Sequence, residues 1–219
     1  MRRHWVGGAM RLTILLVVVV VGVGGAVLAA GCGGSEQAAP ETAFLTSAVN
    51  TLESTVPVEK KCEKLFAALS RNLDAKQITT TATLKSRQGQ VRACFAKVQR
   101  QTRAAATPLR KILELNGVAE WKSGQSKVSA KEVSKMPGAV AAAYVITRVV
   151  TGLDEQIGRA SVLVDDARLG VPLGAGPLHE ITGEEPVQTV NTLLFLGKHR
   201  ALLAKDVALA RTVLESSAN

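Results

Sequence analysis

The chain predicts an all-α fold: an antiparallel bundle of about five helices, with helices 2 and 3 stapled by a disulfide. Three observations predict it. From Glu41 onward, apolar residues recur every three or four positions over most of the chain, the spacing of one helix face. No segment there alternates polar and apolar residues for long enough to make a strand. Cys62 and Cys94 fall on two of the apolar stripes and are equidistant from residue 78, inside a polar stretch. Residues equidistant from the turn of a helical hairpin face each other.

Taken in order, Phe44, Ala48, Leu52 and Val56 mark a first helix. Pro57 interrupts it and suits the first turn of a second, whose stripe is Val58, Cys62, Leu65, Phe66, Leu69 and Leu73. The polar, threonine-rich run from Asp74 to Thr83 reads as a turn. In the third helix Leu84, Val91, Val98, Ala105 and Ile112 are spaced by seven, and Phe95, Thr102 and Leu109 complete the face. Pro108 lies inside this pattern. It predicts either a kink or a break, with Thr107 as N-cap of a separate helix ending at Gly117. Ser129 and Glu132 have capping-box spacing and predict a short helix. Val140, Tyr144, Val150, Leu153, Ile157, Ala160 and Val164 mark a long helix from Gly138 to Ala167, with Gly152 and Gly158 as weak or close-contact points. A Gly/Pro-rich loop spans Arg168 to Glu185. Pro186 opens a last helix with the stripe Leu193, Leu196, Leu203, Val207, Ala210 and Leu214.

The region before Glu41 is different. Arg2, Arg3 and Arg11 precede a 19-residue apolar run from Leu12 to Ala30. A basic stretch before an apolar one is the pattern of an export signal, although the run alone is long enough to cross a membrane. Leu28-Ala29-Ala30-Gly31-Cys32 decides between these. It resembles the lipobox of bacterial lipoproteins, departing from it at Ala29, where that family more often has Leu. The resemblance covers only the leader and Cys32. It implies that the Cys32 sulfur receives a diacylglycerol and that the chain is cut just before it, leaving the protein lipid-anchored on the extracytoplasmic face of the cell membrane. Arg2-Arg3 faintly resembles a twin-arginine export signal, and Met10-Arg11 is an alternative start that would omit it. The expected organisation is a cleaved signal peptide over residues 1–31, a flexible tether over 32–40 and one helical bundle over 41–219. Lipidation of Cys32 leaves Cys62 and Cys94 as an even pair in a compartment that permits disulfides.

Motifs for chemistry are sparse. His179-Glu180 begins a zinc-protease pattern, but Gly183 stands where the second His is required. No Gly-x-Ser-x-Gly elbow, phosphate loop or Cys-x-x-Cys pair is present. Glu184 and Glu185 precede Pro186 at a helix start, where negative charge complements the macrodipole. This plainer account outweighs a metal site made with His179 and Glu180. Asp165 and Asp166 are neighbours on a helix and do not face each other, and Arg168 offsets their unfavourable place near its C-terminus. No catalytic residue, metal site or cofactor is expected.

Charge is the most informative remaining signal. The chain carries net +9, unevenly spread: residues 59–135 hold 17 basic and 6 acidic residues, whereas 136–219 hold 7 and 9. Eight basic residues and no acid lie between Lys85 and Lys111. Of these, Lys85, Arg92, Lys97, Arg100, Arg103, Arg110 and Lys111 fall off the apolar stripe and predict a cationic face. A face of this kind suits an anionic lipid surface or an anionic cell-wall polymer; its plainer role is to keep the protein soluble. Nucleic acid is not the expected partner, because export removes the usual target and aromatics are only 3% of the chain. The leading expectation is therefore a non-enzymatic, lipid-anchored bundle that acts by binding at the cell envelope. The alternatives are a carrier of an apolar ligand gated by the 169–185 loop and a metal protein or enzyme centred on His179.

Overall fold

The computed structural model describes residues 40–118, 128–174 and 187–217. Contact density divides the chain into Met1–Glu36 and Gln37–Asn219, and all the helices described here lie in the second unit. They are α1 (Pro40–Asp74), α2 (Thr81–Leu115), α3 (Ala130–Val133), α4 (Gly138–Asp166) and α5 (Val187–Ser216). There is no strand among the described residues. The fold is the expected all-α bundle, and α1, α2, α4 and α5 are its four long members.

Packing follows the cycle α1–α2–α4–α5–α1. Neighbours run antiparallel. Gln88 reaches Val164 while Thr102 reaches Asp154, and Glu63 meets Arg200 while Glu53 meets Arg211. Consequently α1 and α4 occupy one diagonal of the bundle and α2 and α5 the other. Each of the four long helices turns a stripe inward: Leu45, Leu52, Phe66 and Leu73 from α1; Leu84, Val91, Phe95 and Leu109 from α2; Tyr144, Leu153 and Ile157 from α4; Leu196, Leu203 and Val207 from α5. Phe66 and Phe95 meet edge-to-face with centroids 6.1 Å apart, within the range where aromatic pairs add to simple burial.

Two expectations are corrected, at Pro57 and Pro40, and one alternative is closed, at Pro108. Pro57 does not divide two helices; α1 runs through it for 35 residues. The reason is phase. Leu52, Thr55, Glu59, Cys62 and Phe66 are buried at three- and four-residue steps on both sides of Pro57, while the proline itself is exposed. One continuous buried face outweighs the roughly 3 kcal/mol cost of an internal proline. The expected first and second helices are thus a single α1, and the disulfide joins α1 to α2. Pro108 likewise lies inside a continuous α2, which excludes the break: Ala105, Leu109, Ile112 and Leu113 hold the same face. Pro40, assigned to the tether, is the first residue of α1, a position proline tolerates.

Both ends of α2 are capped. Thr80 Oγ1 accepts from the Thr83 amide and starts α2. The other end of α2 closes on Gly117 at φ +62°. There the Val118 amide donates to Leu113 O and the Gly117 amide to Glu114 O, a Schellman pattern. The expected capping box is present at Ser129 and Glu132, and the helix it starts is a single turn. After α4, the Arg168–Glu185 connection first folds back on the bundle: Leu173 is buried and its carbonyl accepts from Thr189 Oγ1 at 2.7 Å. Residues 175–186 of that loop lie outside the described part. Gly152 is a close-contact point, since a Cβ there would sit 2.5 Å from His199 Nε2, whereas Gly158 has open space.

The disulfide is where the hairpin symmetry puts it. Cys62 and Cys94 have Cα atoms 5.4 Å apart and are bonded, with the buried Ile78 at the turn. The cross-link spans 32 residues, for which loop-closure entropy gives about 3–4 kcal/mol. Cys62→Ala is expected to lower unfolding stability by that amount in a urea titration under non-reducing conditions. A variant as stable as the parent would contradict the stapled hairpin.

Candidate functional site

All seven basic residues expected to form a cationic face are exposed on α2. Their helical positions divide them. Lys85, Arg92, Arg103 and Arg110 lie along the flank nearest α4; Lys97, Arg100 and Lys111 point outward. The flank is partly neutralised by acids the local sequence does not contain. Arg92 Nε pairs with Asp165 Oδ1 of α4. Arg103 acts on Asp154 of α4, whose carboxyl is pushed up by burial and pulled back by the Thr102 hydrogen bond and the Arg103 charge. Salt-bridging across helices therefore accounts for part of the basic pattern. Among the described residues, no ion pair engages Lys97, Arg100 or Lys111.

Asp165 has the surface role the sequence predicts for it, and Arg168 does offset the α4 C-terminus: its Nη1 donates to the carbonyls of Asp165 and Ala167 at 3.1 and 3.0 Å. From inside, Gln88 Nε2 donates to Val164 O at 2.7 Å. Together these supply side-chain partners for carbonyls at the end of α4.

Beside the outward lysines, a groove of about 650 Å³ opens between α1 and α2. Pro57, Val58, Leu65 and Ala93 make its walls apolar, and Lys61 and Lys97 line it with positive charge. Cys94 of the disulfide also lines it. The groove lies on the outer surface of the α1–α2 pair.

A second constellation went unseen in the sequence. Glu59 of α1 is fully buried. Arg200 of α5 places Nε 3.0 Å from Glu59 Oε2 and donates to Glu63 Oε2 at 2.9 Å. Among the described residues, neither Glu59 oxygen has a hydrogen-bond partner of good geometry. Burial first, then the Glu63 charge, push the Glu59 carboxyl up to about 8, against the pull of Arg200. Gly197 makes room for the pair, because a Cβ there would lie 2.9 Å from Glu63 Oε1. Glu59 is therefore mainly protonated at neutral pH, and one guanidinium serves two carboxyl groups across the α1–α5 interface.

Among the described residues, no group of three or more His, Cys, Asp or Glu could hold a metal ion. His179, Glu180, Glu184 and Glu185 lie outside those residues. Within the same limits, no helix is long and apolar enough to cross a membrane.

The buried acid carries a pH prediction. The folded chain keeps the Glu59 proton where the unfolded chain has lost it, so stability is expected to fall as pH rises from about 4.5 to about 8 and to level off above. Glu59→Gln is expected to match the parent near pH 4.5 and to exceed it by about 4 kcal/mol at pH 8, read by urea unfolding across that range. A variant less stable than the parent at every pH would contradict the neutral buried carboxyl.

The chain matches no family model, no curated protein and no solved structure.

Proposed function

We propose that this is a lipid-anchored, non-enzymatic protein of the extracytoplasmic membrane face that binds an anionic polymer of the cell envelope through the outer face of α2. The observation that carries the reading is the outward row Lys97, Arg100 and Lys111: exposed cations on a segment with no acid of its own, and without the α4 carboxylates that serve Arg92 and Arg103. Such a row concentrates counter-charge along about 20 Å of helix, which suits an extended polyanion better than a single small anion. The lipobox resemblance around Cys32 supplies the location.

The groove supports a second reading, a carrier of an apolar ligand with an anionic head. Its site would lie between α1 and α2, with Lys61 and Lys97 at the head group, rather than under the 169–185 loop.

Mass spectrometry of the membrane fraction is expected to find an acylated N-terminal Cys32 and no peptide from residues 1–31; an intact N-terminus contradicts the anchor. The 37–219 chain, which carries the core described above, is expected to bind polyglycerol phosphate in a titration and to release it as salt is raised. The triple variant Lys97→Gln, Arg100→Gln, Lys111→Gln should bind at least tenfold more weakly, from about 1 kcal/mol per charge. If it binds as well as the parent, the face serves only solubility.

A further inference from the structure

The last helix is apolar on two sides. Its inner face gives Leu196, Leu203, Val207 and Ala210 to the core. Its outer face leaves Val190 (65%), Leu194 (66%) and Leu209 (59%) exposed, together with Phe195 and Leu202. From Val190 to Leu209 this is about 29 Å of helix. Surface helices of soluble bundles normally turn polar residues outward, and a contiguous exposed apolar strip marks an interaction surface. The exposed charges on it are Lys198 and Lys205, seven residues apart between the rows Leu194–Ala201–Ala208 and Phe195–Leu202–Leu209. No exposed residue from Val190 to Leu209 is acidic.

We propose that this face lies on an anionic bilayer surface. The apolar rows would enter the boundary between head groups and acyl chains, and the two lysines would extend to the lipid phosphates. Charge selects this occupant over a second copy of the chain: antiparallel pairing of two α5 faces would set Lys198 and Lys205 against their own kind, whereas anionic head groups complement them. Position agrees, and here the inference rests on the proposed anchor at Cys32. Because α1 and α5 are antiparallel, with Glu53 paired to Arg211, the start of α1 lies at the same end of the bundle as the end of α5. A short tether from Cys32 would hold that end near the membrane. Since α2 and α5 occupy opposite corners, a bundle resting on α5 turns Lys97, Arg100 and Lys111 away from the bilayer, toward the envelope polymer.

The test is cosedimentation of the 37–219 chain with phosphatidylcholine vesicles, with and without phosphatidylglycerol. Binding is expected to need the anionic lipid. The variant Leu194→Gln, Leu202→Gln, Leu209→Gln should lose it by tenfold or more, and Lys198→Gln with Lys205→Gln by roughly tenfold. All five positions are exposed, and unchanged helical circular dichroism and melting will confirm that the variants fold. The α2 triple variant should keep vesicle binding while losing the polyanion, and the leucine variant should do the reverse, so each idea fails separately. Absence of vesicle binding, or its loss in the α2 variant alone, overturns the assignment to α5. So does a concentration-dependent dimer in light scattering that the leucine variant abolishes while vesicle binding is unchanged.

Discussion

Cys62 and Cys94 hold α1 and α2 in one register about the turn at Ile78, and the arrangement of the other helices depends on that pairing. With the two stripes locked face to face, Phe66 and Phe95 meet in the core. The α1–α2 hairpin then offers one flank to α4 and the other to α5. Gln88 and Thr102 of α2 take hold of α4; Glu53, Glu59 and Glu63 of α1 meet Arg200 and Arg211 of α5. A slip of one residue would rotate these partners by about 100° on each helix and leave the polar groups buried without them. The disulfide acts mainly by restricting the unfolded chain, but its register is what lets the remaining helices close the ring.

That closure sets charge at the interfaces rather than only on the surface. Glu59 is carried into the core because its position on α1 continues the buried stripe, and it is accommodated mainly as the neutral acid. A buried ion pair is weak support for stability in general. Here Arg200 is more a fastener between α1 and α5, shared with the half-buried Glu63, than a source of net stabilisation. On the opposite side of the ring, Arg92 and Arg103 spend their charge on α4, which leaves Lys97, Arg100 and Lys111 as the outward cations. The ring therefore separates two surfaces: a basic one on α2, and on α5 an apolar one interrupted by two lysines.

Much of the fold was legible in the sequence because helical stripes are local. The apolar positions named for α2 and α4 are the buried ones, and the symmetry of Cys62 and Cys94 about residue 78 identified the hairpin. Pro57 suggests a helix boundary that does not exist, and Pro108 leaves kink and break open, for one physical reason: a proline is a local signal, whereas its tolerance is decided by the phase of the buried face on both sides. That phase was visible in the spacing of Leu52, Thr55, Glu59 and Cys62, had Thr55 and Glu59 been admitted to the stripe. The candidate site was legible only as a list of cations. Which of them meet Asp154 and Asp165 depends on helix–helix pairing across more than fifty residues. The outer face of α5 is hard to read from sequence because a helix apolar on both sides has no single stripe to stand out from the inward Leu196–Leu203–Val207.

The continuity of α1 and α2 through their prolines is the claim on which the register, and hence the separation of the two faces, rests. Native-state hydrogen exchange of the 37–219 chain measures it residue by residue. Amides just after Pro57, from Val58 to Lys61, and those from Leu109 to Ile112 are predicted to exchange as slowly as the amides of the adjoining turns. Fast exchange confined to those stretches, with protected helix on either side, would mean that the helices break at the prolines and would contradict the account.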